Sequence, residues 1–288
     1  MKIGFIGLGI MGESMCENIV KKHDDKVYVY DLIPEQIKKL TDIGAIACKS
    51  ALEVAENADV IFSIVPTSNH SKQVYNELLP ALKEGKYCVD MGTIDPSASV
   101  EISKTVKETG AQFLDAPVLK SKPAAIAGEL GIVVGGDKEA FEFIKPLLAY
   151  MGNTILYMGA NGNGLVMKIC SNSLLGEVQN GVNETLVLAE KYGISLDNYV
   201  AAVALGSGHN VYLTSKVEAI RNKDYTTAFS TENMAKDLGI CKTLSDEAGL
   251  PMPGVEKALD VYKWLLDNDY AKKDYSCSIE AIRAAAKK

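Results

Sequence analysis

The stretch "GFIGLGIMGESM", Gly4–Met15, decides the fold of the N-terminal half. It contains Gly7, Gly9 and Gly12 in the spacing G-x-G-x-x-G. The spacing alone is weak evidence for a nucleotide site, because three glycines fall this way by chance in many chains. Here it follows a short apolar run and opens a helical pattern, which is the context of a dinucleotide-binding turn. The first glycine permits a tight turn, the second lets the backbone approach a pyrophosphate, and the third lets helix and strand pack closely.

Short apolar runs alternate with helical patterns through the first half of the chain. Pro34 with Gly44, and Pro96 with Gly110, mark the starts and ends of two helices. The apolar runs that are typical of buried strands are residues 2–7, 26–31, 59–66, 87–92, 111–118 and 131–136. This alternation predicts an α/β fold, a Rossmann-type doubly wound parallel sheet.

The pattern changes near residue 163, where a single helical period continues to Gly193. The segments that follow also have helical periodicity, interrupted at residues 206–210 and 250–254. We therefore predict two domains. Residues 1–160 form an NAD-binding Rossmann domain, and residues 161–288 form an all-helical domain.

Composition excludes several classes of function. The 288 residues carry a formal charge of −7, without the basic patch that nucleic acid or an anionic membrane would require. No run approaches the ~20 apolar residues of a membrane span, and the N-terminus lacks the features of a signal peptide, so we expect a cytoplasmic protein. The six cysteines and three histidines show no metal-ligand spacing, and we predict no metal site.

Asp31 ends the second predicted strand, 22 residues after Gly9. A carboxylate at this place accepts the ribose hydroxyls of NAD and repels the 2′-phosphate of NADP. No arginine follows it in "DLIPEQ". The alternative is that Asp31 only caps the helix that begins near Pro34. With strand, glycines and acid in register, the sequence favours NAD.

Five segments, in order, resemble the β-hydroxyacid dehydrogenase family, and the resemblance covers nearly the whole chain. They are "FIGLGIMGESMCEN" (5–18), "VDMGTIDP" (89–96), "DAPVLKSKPAAIAGEL" (115–130), "GNGLVMKICSN" (162–172) and "FSTENMAKDLGI" (229–240). In the second segment Gly92 replaces the family's usual serine, while Thr93 is retained. Relatives also pair through the helical domain, which implies a homodimer or homotetramer.

The resemblance also implies a set of cofactor-binding residues. Lys236 belongs to it as a residue near the nicotinamide, although a structural ion pair with Asp237 is the alternative. The implied cofactor-binding residues are Gly7, Leu8, Gly9, Ile10, Met11, Gly12, Asp31, Val65, Pro66, Thr93 and Lys236.

Lys168 lies in the apolar run "GLVMKIC" near the start of the long helix, with Asn172 four residues on and so on the same face. A lysine on a buried face is costly unless it is paired or functional, and burial lowers a lysine's pKa toward that of a useful acid. The alternative is a solvated lysine on an exposed face. The resemblance implies that Lys168 is the general acid that protonates the carbonyl oxygen during reduction, and that Asn172 orients the substrate.

The substrate loop departs from the family pattern. Most members have "SGG" after "DAPV", where this chain has Leu119, Lys120 and Ser121. This loop is most similar to that of the sulfolactaldehyde reductases in the family, and a lysine beside a hydroxyl suits an anion such as a sulfonate. The alternative is that Lys120 points to solvent and backbone amides bind a carboxylate. Ser171 also replaces the first of two successive asparagines in many relatives.

The sequence thus predicts an NAD-dependent reductase for a small anionic aldehyde, with sulfolactaldehyde preferred. Tartronate, succinic and methylmalonate semialdehydes are the alternatives. A dinucleotide-binding redox sensor without catalysis is a second class of function, and the presence of Lys168 argues against it. A decarboxylating relative of 6-phosphogluconate dehydrogenase is a third, and the short helical domain argues against it.

Overall fold

The computed structural model describes residues 1–286. Within that range the chain forms nine strands in one sheet. In chain order they are β1 (Ile3–Ile6), β2 (Val27–Tyr30), β3 (Ile46–Ala47), β4 (Val60–Ser63), β5 (Tyr87–Asp90), β6 (Gln112–Asp115), β7 (Val118–Leu119), β8 (Leu130–Gly136) and β9 (Gly152–Gly159).

Thirteen α-helices separate and follow these strands in the described residues. They are α1 (Gly12–Lys22), α2 (Pro34–Thr41), α3 (Ala51–Asn57), α4 (Ser68–Leu78), α5 (Pro96–Glu108), α6 (Lys122–Ala127), α7 (Lys138–Leu148), α8 (Asn163–Lys191), α9 (Leu196–Ala204), α10 (Val211–Asn222), α11 (Thr231–Glu247), α12 (Pro253–Leu266) and α13 (Ile279–Ala285). Two short 3₁₀-helices, Leu79–Ala81 and Tyr275–Ser278, complete the secondary structure.

The chain divides into two compact units, Met1–Lys168 and Ile169–Lys288. Unit 1 holds the sheet, in the order β3-β2-β1-β4-β5-β6-β8-β7, with β9 on the far side of β8. Apolar residues cover both faces of its central strands; Phe5, Phe62 and Phe113 are fully buried. The predicted Rossmann-type fold is confirmed. The predicted domain boundary at residue 160 lies just before α8, which runs from one unit into the other.

Two strands, β8 and its parallel neighbour β9, run against the predicted parallel order. β8 is antiparallel to β6 and β7, whereas the pairs from β3 through to β6 are parallel, as is the pair β8–β9. The segment between β7 and β8 contains only the short helix α6, too little chain for a parallel crossover. The strands β3, β7 and β9 were not predicted. β3 and β7 have two residues each, and half of β9 is exposed at the sheet edge, so none is a buried apolar run.

Unit 2 is helical throughout its described part, as predicted. Its core gathers residues from α8 and α10 to α13, with Leu186, Leu238 and Leu265 fully buried. A buried polar group lies within this core: the Gln179 side chain donates to Ser278 Oγ at 2.5 Å and accepts from the Tyr262 hydroxyl at 2.5 Å. Among residues 1–286, no helix combines the length and apolar character that a membrane crossing requires.

Candidate active site

The carboxyl ends of five parallel strands meet at one edge of the sheet in unit 1. Ile6 pairs with Tyr30 and with Ser63, Ser63 pairs with Asp90, and Asp90 pairs with Asp115. Ligands of doubly wound folds bind at this edge. The residues that follow the strand ends there are Gly7, Asp31, Ile64 and Val65, Gly92 and Thr93, and Ala116.

In the glycine turn after β1, Gly7 and Gly12 are required for steric reasons, whereas Gly9 faces open space. Gly7 has φ +92°, and a Cβ added to it would lie 2.3 Å from the carbonyl oxygen of Ile64. A Cβ on Gly12 would lie 2.0 Å from the carbonyl oxygen of Gly7. Both positions therefore exclude a side chain. Gly9 has nothing within 4 Å of its missing Cβ, so its backbone faces open space that a ligand can approach.

Asp31 holds the glycine turn in place. Its Oδ2 accepts a hydrogen bond from the Leu8 amide at 2.6 Å, and its Oδ1 accepts one from the Ile33 amide at 2.8 Å. Each carboxylate oxygen keeps a second lone pair for a ligand hydroxyl. Asp31 thus links the predicted ribose position directly to the turn. The predicted alternative, a cap on the following helix, is also partly present, because Ile33 directly precedes α2.

The other predicted cofactor residues of unit 1 differ in exposure. The Leu8 side chain is buried in the core, so it offers no side chain to a ligand. Ile10 is 61% exposed and Met11 is half-buried beside the turn. In the loops after β4 and β5, Pro66 is exposed, and Val65 and Thr93 are half-buried. All of these residues lie beyond the carboxyl ends of β1, β4 and β5.

The predicted substrate loop begins at β7 and ends at α6. Lys120 is the unusual residue of this loop, because its φ is +75°, a left-handed conformation that favours glycine. Its side chain is exposed and its Nζ donates to the carbonyl oxygen of Glu129 at 2.6 Å. Ser121 precedes α6, and its hydroxyl makes no hydrogen bond within residues 1–286. Leu119 is half-buried and pairs with Gly131 of β8.

Lys168 is buried, with only 8% of its surface exposed, in the second turn of α8. The solvated position that the sequence left open is therefore excluded, and the catalytic role of Lys168 stays a prediction. Asn172, four residues further along the same helix, is also buried. Ser171 is half-buried. One helix therefore presents both predicted catalytic residues at the spacing that puts them on one face.

Asn172 has a defined partner within unit 2. Its Nδ2 donates to Asp237 Oδ2 of α11 at 2.6 Å. An ionised carboxylate only accepts hydrogen bonds, so this contact fixes the amide with its nitrogen toward Asp237 and its carbonyl oxygen away from it. Lys236, 30% exposed, forms an ion pair with Asp237 at 3.4 Å. The alternative for Lys236 that the sequence left open is thus present in the structure, and its part in cofactor binding stays a prediction.

Three residues that sequence reasoning did not assign hold predicted site residues or their elements within one unit or the other. Asp237 orients Asn172. Asp115 accepts hydrogen bonds from two amides at the start of α8. Asn18 of α1 donates to the carbonyl oxygens of Ala125, at 2.8 Å, and of Ile126, at 3.3 Å, and so ties the cofactor helix to the substrate loop's helix. The partners lie 47 or more residues apart in the chain, so no local pattern could reveal the contacts.

No cluster of three or more histidine, cysteine, aspartate or glutamate side chains in residues 1–286 could hold a metal ion. One buried acid in unit 1 is electrostatically unusual: burial raises the pKa of Asp90 to about 6. Its Oδ1 accepts a hydrogen bond from the Gly92 amide at 2.9 Å, next to Thr93. Burial also raises the pKa of Asp115.

Two family models match the chain end to end. The model for the NAD-binding domain of 6-phosphogluconate dehydrogenase matches residues 2–159. The model for the NAD-binding domain of NADP-dependent 3-hydroxyisobutyrate dehydrogenase matches residues 162–282. The mitochondrial 3-hydroxyisobutyrate dehydrogenase of Rattus norvegicus is 34% identical over 98% of this chain and 87% of its own length. The chain belongs to the β-hydroxyacid dehydrogenase family.

A further relative and a solved structure are also similar to nearly the whole chain. The NAD-dependent L-serine dehydrogenase of Pseudomonas aeruginosa is 33% identical over 96% of this chain and 95% of its own length. The structure of the Mycobacterium tuberculosis 3-hydroxyisobutyrate dehydrogenase with L-serine superimposes with a TM-score of 0.90, at 30% identity, over 98% of this chain and 99% of that one. The protein is an NAD-dependent hydroxyacid dehydrogenase, an enzyme that acts on a CH–OH group.

The glycine turn fits NAD. The open space at Gly9 is where a Cβ would obstruct a pyrophosphate, and α1 begins directly after it with the free amides of a helix N-terminus. Asp31 stands at the end of β2, where the ribose hydroxyls of the cofactor are bound in this fold. The residues that would hold the cofactor are therefore the turn itself, Asp31 and the loops after β4 and β5.

Proposed function

We propose that Lys168 is the general acid of this dehydrogenase. As a carbonyl substrate is reduced, its oxygen takes a proton from Lys168 Nζ; in the oxidative direction the same nitrogen removes the hydroxyl proton. The bound cofactor supplies or accepts the hydride at the carbon. The observation that carries this proposal is the burial of Lys168, because a buried lysine is costly unless it is paired or functional, and burial lowers a lysine's pKa toward that of a useful acid.

Asn172 orients the substrate in this proposal. Its amide nitrogen is engaged by Asp237, so its carbonyl oxygen is the atom that remains to accept a hydrogen bond from a substrate hydroxyl. A preorganised acceptor and a proton donor on one helix face suit interconversion of a carbonyl and an alcohol. Ser171, half-buried beside Asn172, would contribute to the same pocket.

We propose that the substrate is a short aldehyde with an acidic group, and that among these the enzyme is a 3-sulfolactaldehyde reductase. Lys120 and Ser121 support this choice. The loop carries a cation and a hydroxyl that makes no other hydrogen bond in the described chain, and together they suit the three oxygens of a sulfonate. To bind the anion, Lys120 Nζ would exchange the Glu129 carbonyl oxygen for a sulfonate oxygen.

A carboxylate substrate is the second candidate, and a specific contact favours it. Because Lys120 Nζ already donates to a backbone carbonyl oxygen, the loop can bind a carboxylate through its amides and Ser121 alone. Tartronate, succinic or methylmalonate semialdehyde would then be the substrate. The related enzymes named for 3-hydroxyisobutyrate and L-serine also act on carboxylates.

Steady-state kinetics with a substrate panel tests both parts. Sulfolactaldehyde and the three carboxylate semialdehydes are compared with NADH and NADPH, first for the unaltered enzyme and then for Lys120→Ala. We expect Lys120→Ala to reduce kcat/KM for the sulfonate at least 10-fold more than for a carboxylate. An unchanged preference would reject the sulfonate assignment and leave the carboxylate candidate.

The role of Lys168 is tested separately with Lys168→Met and the matched control Lys191→Met. Lys191 is exposed at the far end of the same helix. We expect Lys168→Met to lower kcat by 10²–10⁴-fold while NADH still binds, the usual contribution of a general acid. Lys191→Met is expected to retain full activity. A fully active Lys168→Met enzyme would refute the mechanism.

A homodimer or homotetramer is also part of the proposal. Helix α9 has no buried residue although its sequence, "LDNYVAAVA", is mostly apolar. Leu205, which follows it, is 91% exposed, and Val211 at the start of α10 is 79% exposed. Exposed apolar surface of this kind marks association sites. Light scattering of the purified enzyme measures the subunit number directly, and a monomer would contradict the proposal.

A further inference from the structure

We propose that Asp115 is a positioning residue that sets where Lys168 lies. The inference rests on the proposed role of Lys168. Asp115 is the last residue of β6 and is fully buried. It reaches the first turn of α8, the helix that carries Lys168, and every contact described here lies within unit 1.

The carboxylate of Asp115 binds the start of α8 with both oxygens. Oδ1 accepts from the Gly162 amide at 2.7 Å, and Oδ2 accepts from the Leu165 amide at 3.0 Å. The first amides of a helix have no partner within the helix, and a negative charge there is further favoured by the helix dipole. Two bonds to amides three residues apart fix both the position of the helix along its axis and its rotation.

The Asp115 carboxylate lies against the backbone of a glycine on either side. A Cβ on Gly135 of β8 would lie 2.7 Å from Asp115 Oδ1, and a Cβ on Gly164 of α8 would lie 2.8 Å from Oδ2. The carboxylate therefore fills the space that two glycines leave between β8 and α8.

Lys168 follows Leu165 by three residues, which is just under one helical turn. A shift of the first turn is therefore passed to the Lys168 backbone with little loss. Proton transfer depends strongly on geometry, and a misplacement of about 1 Å can cost on the order of 10²-fold in rate. Asp115 thus acts on the reaction through the position of Lys168, without contact with the reacting atoms.

Asp115→Asn tests this role, because an amide nitrogen cannot accept from Gly162 or Leu165 and one of the two bonds is lost. We expect kcat to fall 10- to 100-fold while KM for NADH stays within about twofold. Hydrogen exchange of the amides of residues 162–165 is expected to accelerate in the same variant. The matched control is Asp137→Ala, since Asp137 Oδ1 likewise accepts from a first-turn amide, that of Ala140 in α7, and alanine removes that single bond. It should lose comparable local protection with kcat within twofold of the unaltered enzyme.

The outcomes separate this inference from the proposed function. An active Lys168→Met enzyme would remove the proposed function itself. If Lys168→Met is inactive while folded Asp115→Asn has a normal kcat or unchanged exchange, only the positioning role is overturned. If Asp115→Asn does not fold, Gly164→Ala displaces the first turn of α8 directly, because its methyl group would lie 2.6 Å from the carbonyl oxygen of Val133 and 2.8 Å from Asp115 Oδ2, and a normal kcat there overturns the role. In the unaltered enzyme, rapid exchange of the Leu165 amide would overturn it as well.

Discussion

The cofactor turn (residues 7–12) and the substrate loop (residues 119–121) are built on opposite principles. In the cofactor turn the geometry depends on side chains that are absent: a Cβ at Gly7 or Gly12 would strike a carbonyl oxygen. In the substrate loop a lysine takes a left-handed conformation that a glycine would adopt without strain. Side chains at Gly7 and Gly12 are therefore excluded from the turn, whereas the loop contains a lysine whose backbone conformation is strained. The proposed roles account for the difference, since the turn would bind a constant cofactor and the loop a particular substrate.

The largest effect that this comparison predicts is for Gly12→Ala. The new methyl group would lie 2.0 Å from the carbonyl oxygen of Gly7, so the turn and α1 must separate. We expect a loss of at least about 3 kcal/mol in the free energy of unfolding, or failure to fold, measured by denaturant titration. The counterpart is Gly9→Ala, which has nothing within 4 Å. It should keep the stability of the unaltered enzyme but bind NADH at least about 10-fold more weakly by fluorescence titration.

A stable Gly12→Ala enzyme that binds NADH normally would show that the cofactor turn does not depend on the absence of a side chain at Gly12. Equal NADH affinity in Gly9→Ala would show that the open space at Gly9 is not where the pyrophosphate lies.

An intermediate effect is expected at Asp90, which ends β5 and holds the Gly92 amide. Burial raises its pKa to about 6 from the ordinary 3.8, so the folded state disfavours the ionised form. The free-energy cost of ionising Asp90 in the folded state is absent below about pH 4, grows between pH 4 and 6, and is complete above pH 6. The difference between the two pKa values corresponds to about 3 kcal/mol.

Asp90→Asn removes that cost, so its unfolding free energy relative to the unaltered enzyme should rise with pH. We expect little difference at pH 4 and a relative gain approaching about 3 kcal/mol at pH 8. Denaturant titrations at the two pH values measure it. A difference between the two proteins that is independent of pH would show that Asp90 titrates normally in the folded state.

The smallest effect concerns the strain at Lys120. Lys120→Gly should raise the free energy of unfolding by about 1 kcal/mol, because glycine adopts φ +75° without a steric penalty. Lys223→Gly is the matched control: Lys223 also has positive φ, at 51°, and ends α10. Both variants should gain similar stability, but only Lys120→Gly should change the preference between sulfonate and carboxylate. An equal effect of both on preference would exclude a specific role for the loop.

Much of unit 1 was predictable from sequence because its signals are local. The strand before Gly7, the helix after Gly12 and the acid at Asp31 lie within 31 residues, and the structure joins them as expected. The long helix α8 also followed from local periodicity, whereas the burial of Lys168 was expected only from the family resemblance. Glycine positions and the spacing of apolar residues therefore predict this part of the backbone.

The contacts that hold the candidate site together were not predictable in the same way. Asp115 meets α8 across 47 residues, and Asn172 meets Asp237 across 65. No sequence pattern within one segment predicts partners that lie so far apart in the chain. β9 was missed because half of its residues are exposed and only Gly152 is buried, and the antiparallel order of β8 follows from the short connection after β7. Substrate choice is the least predictable feature, because it depends on a few side chains in a loop.

The central claim is that a single amine, Lys168 Nζ, moves the proton of the reaction. The most direct measurement is chemical rescue of Lys168→Ala by small primary amines, followed as the rate of NADH oxidation with a semialdehyde substrate. The account predicts a variant that binds NADH, has a kcat lower by at least about 10²-fold, and regains activity in proportion to added methylammonium or ethylammonium. A variant that keeps the full rate without added amine would contradict the account.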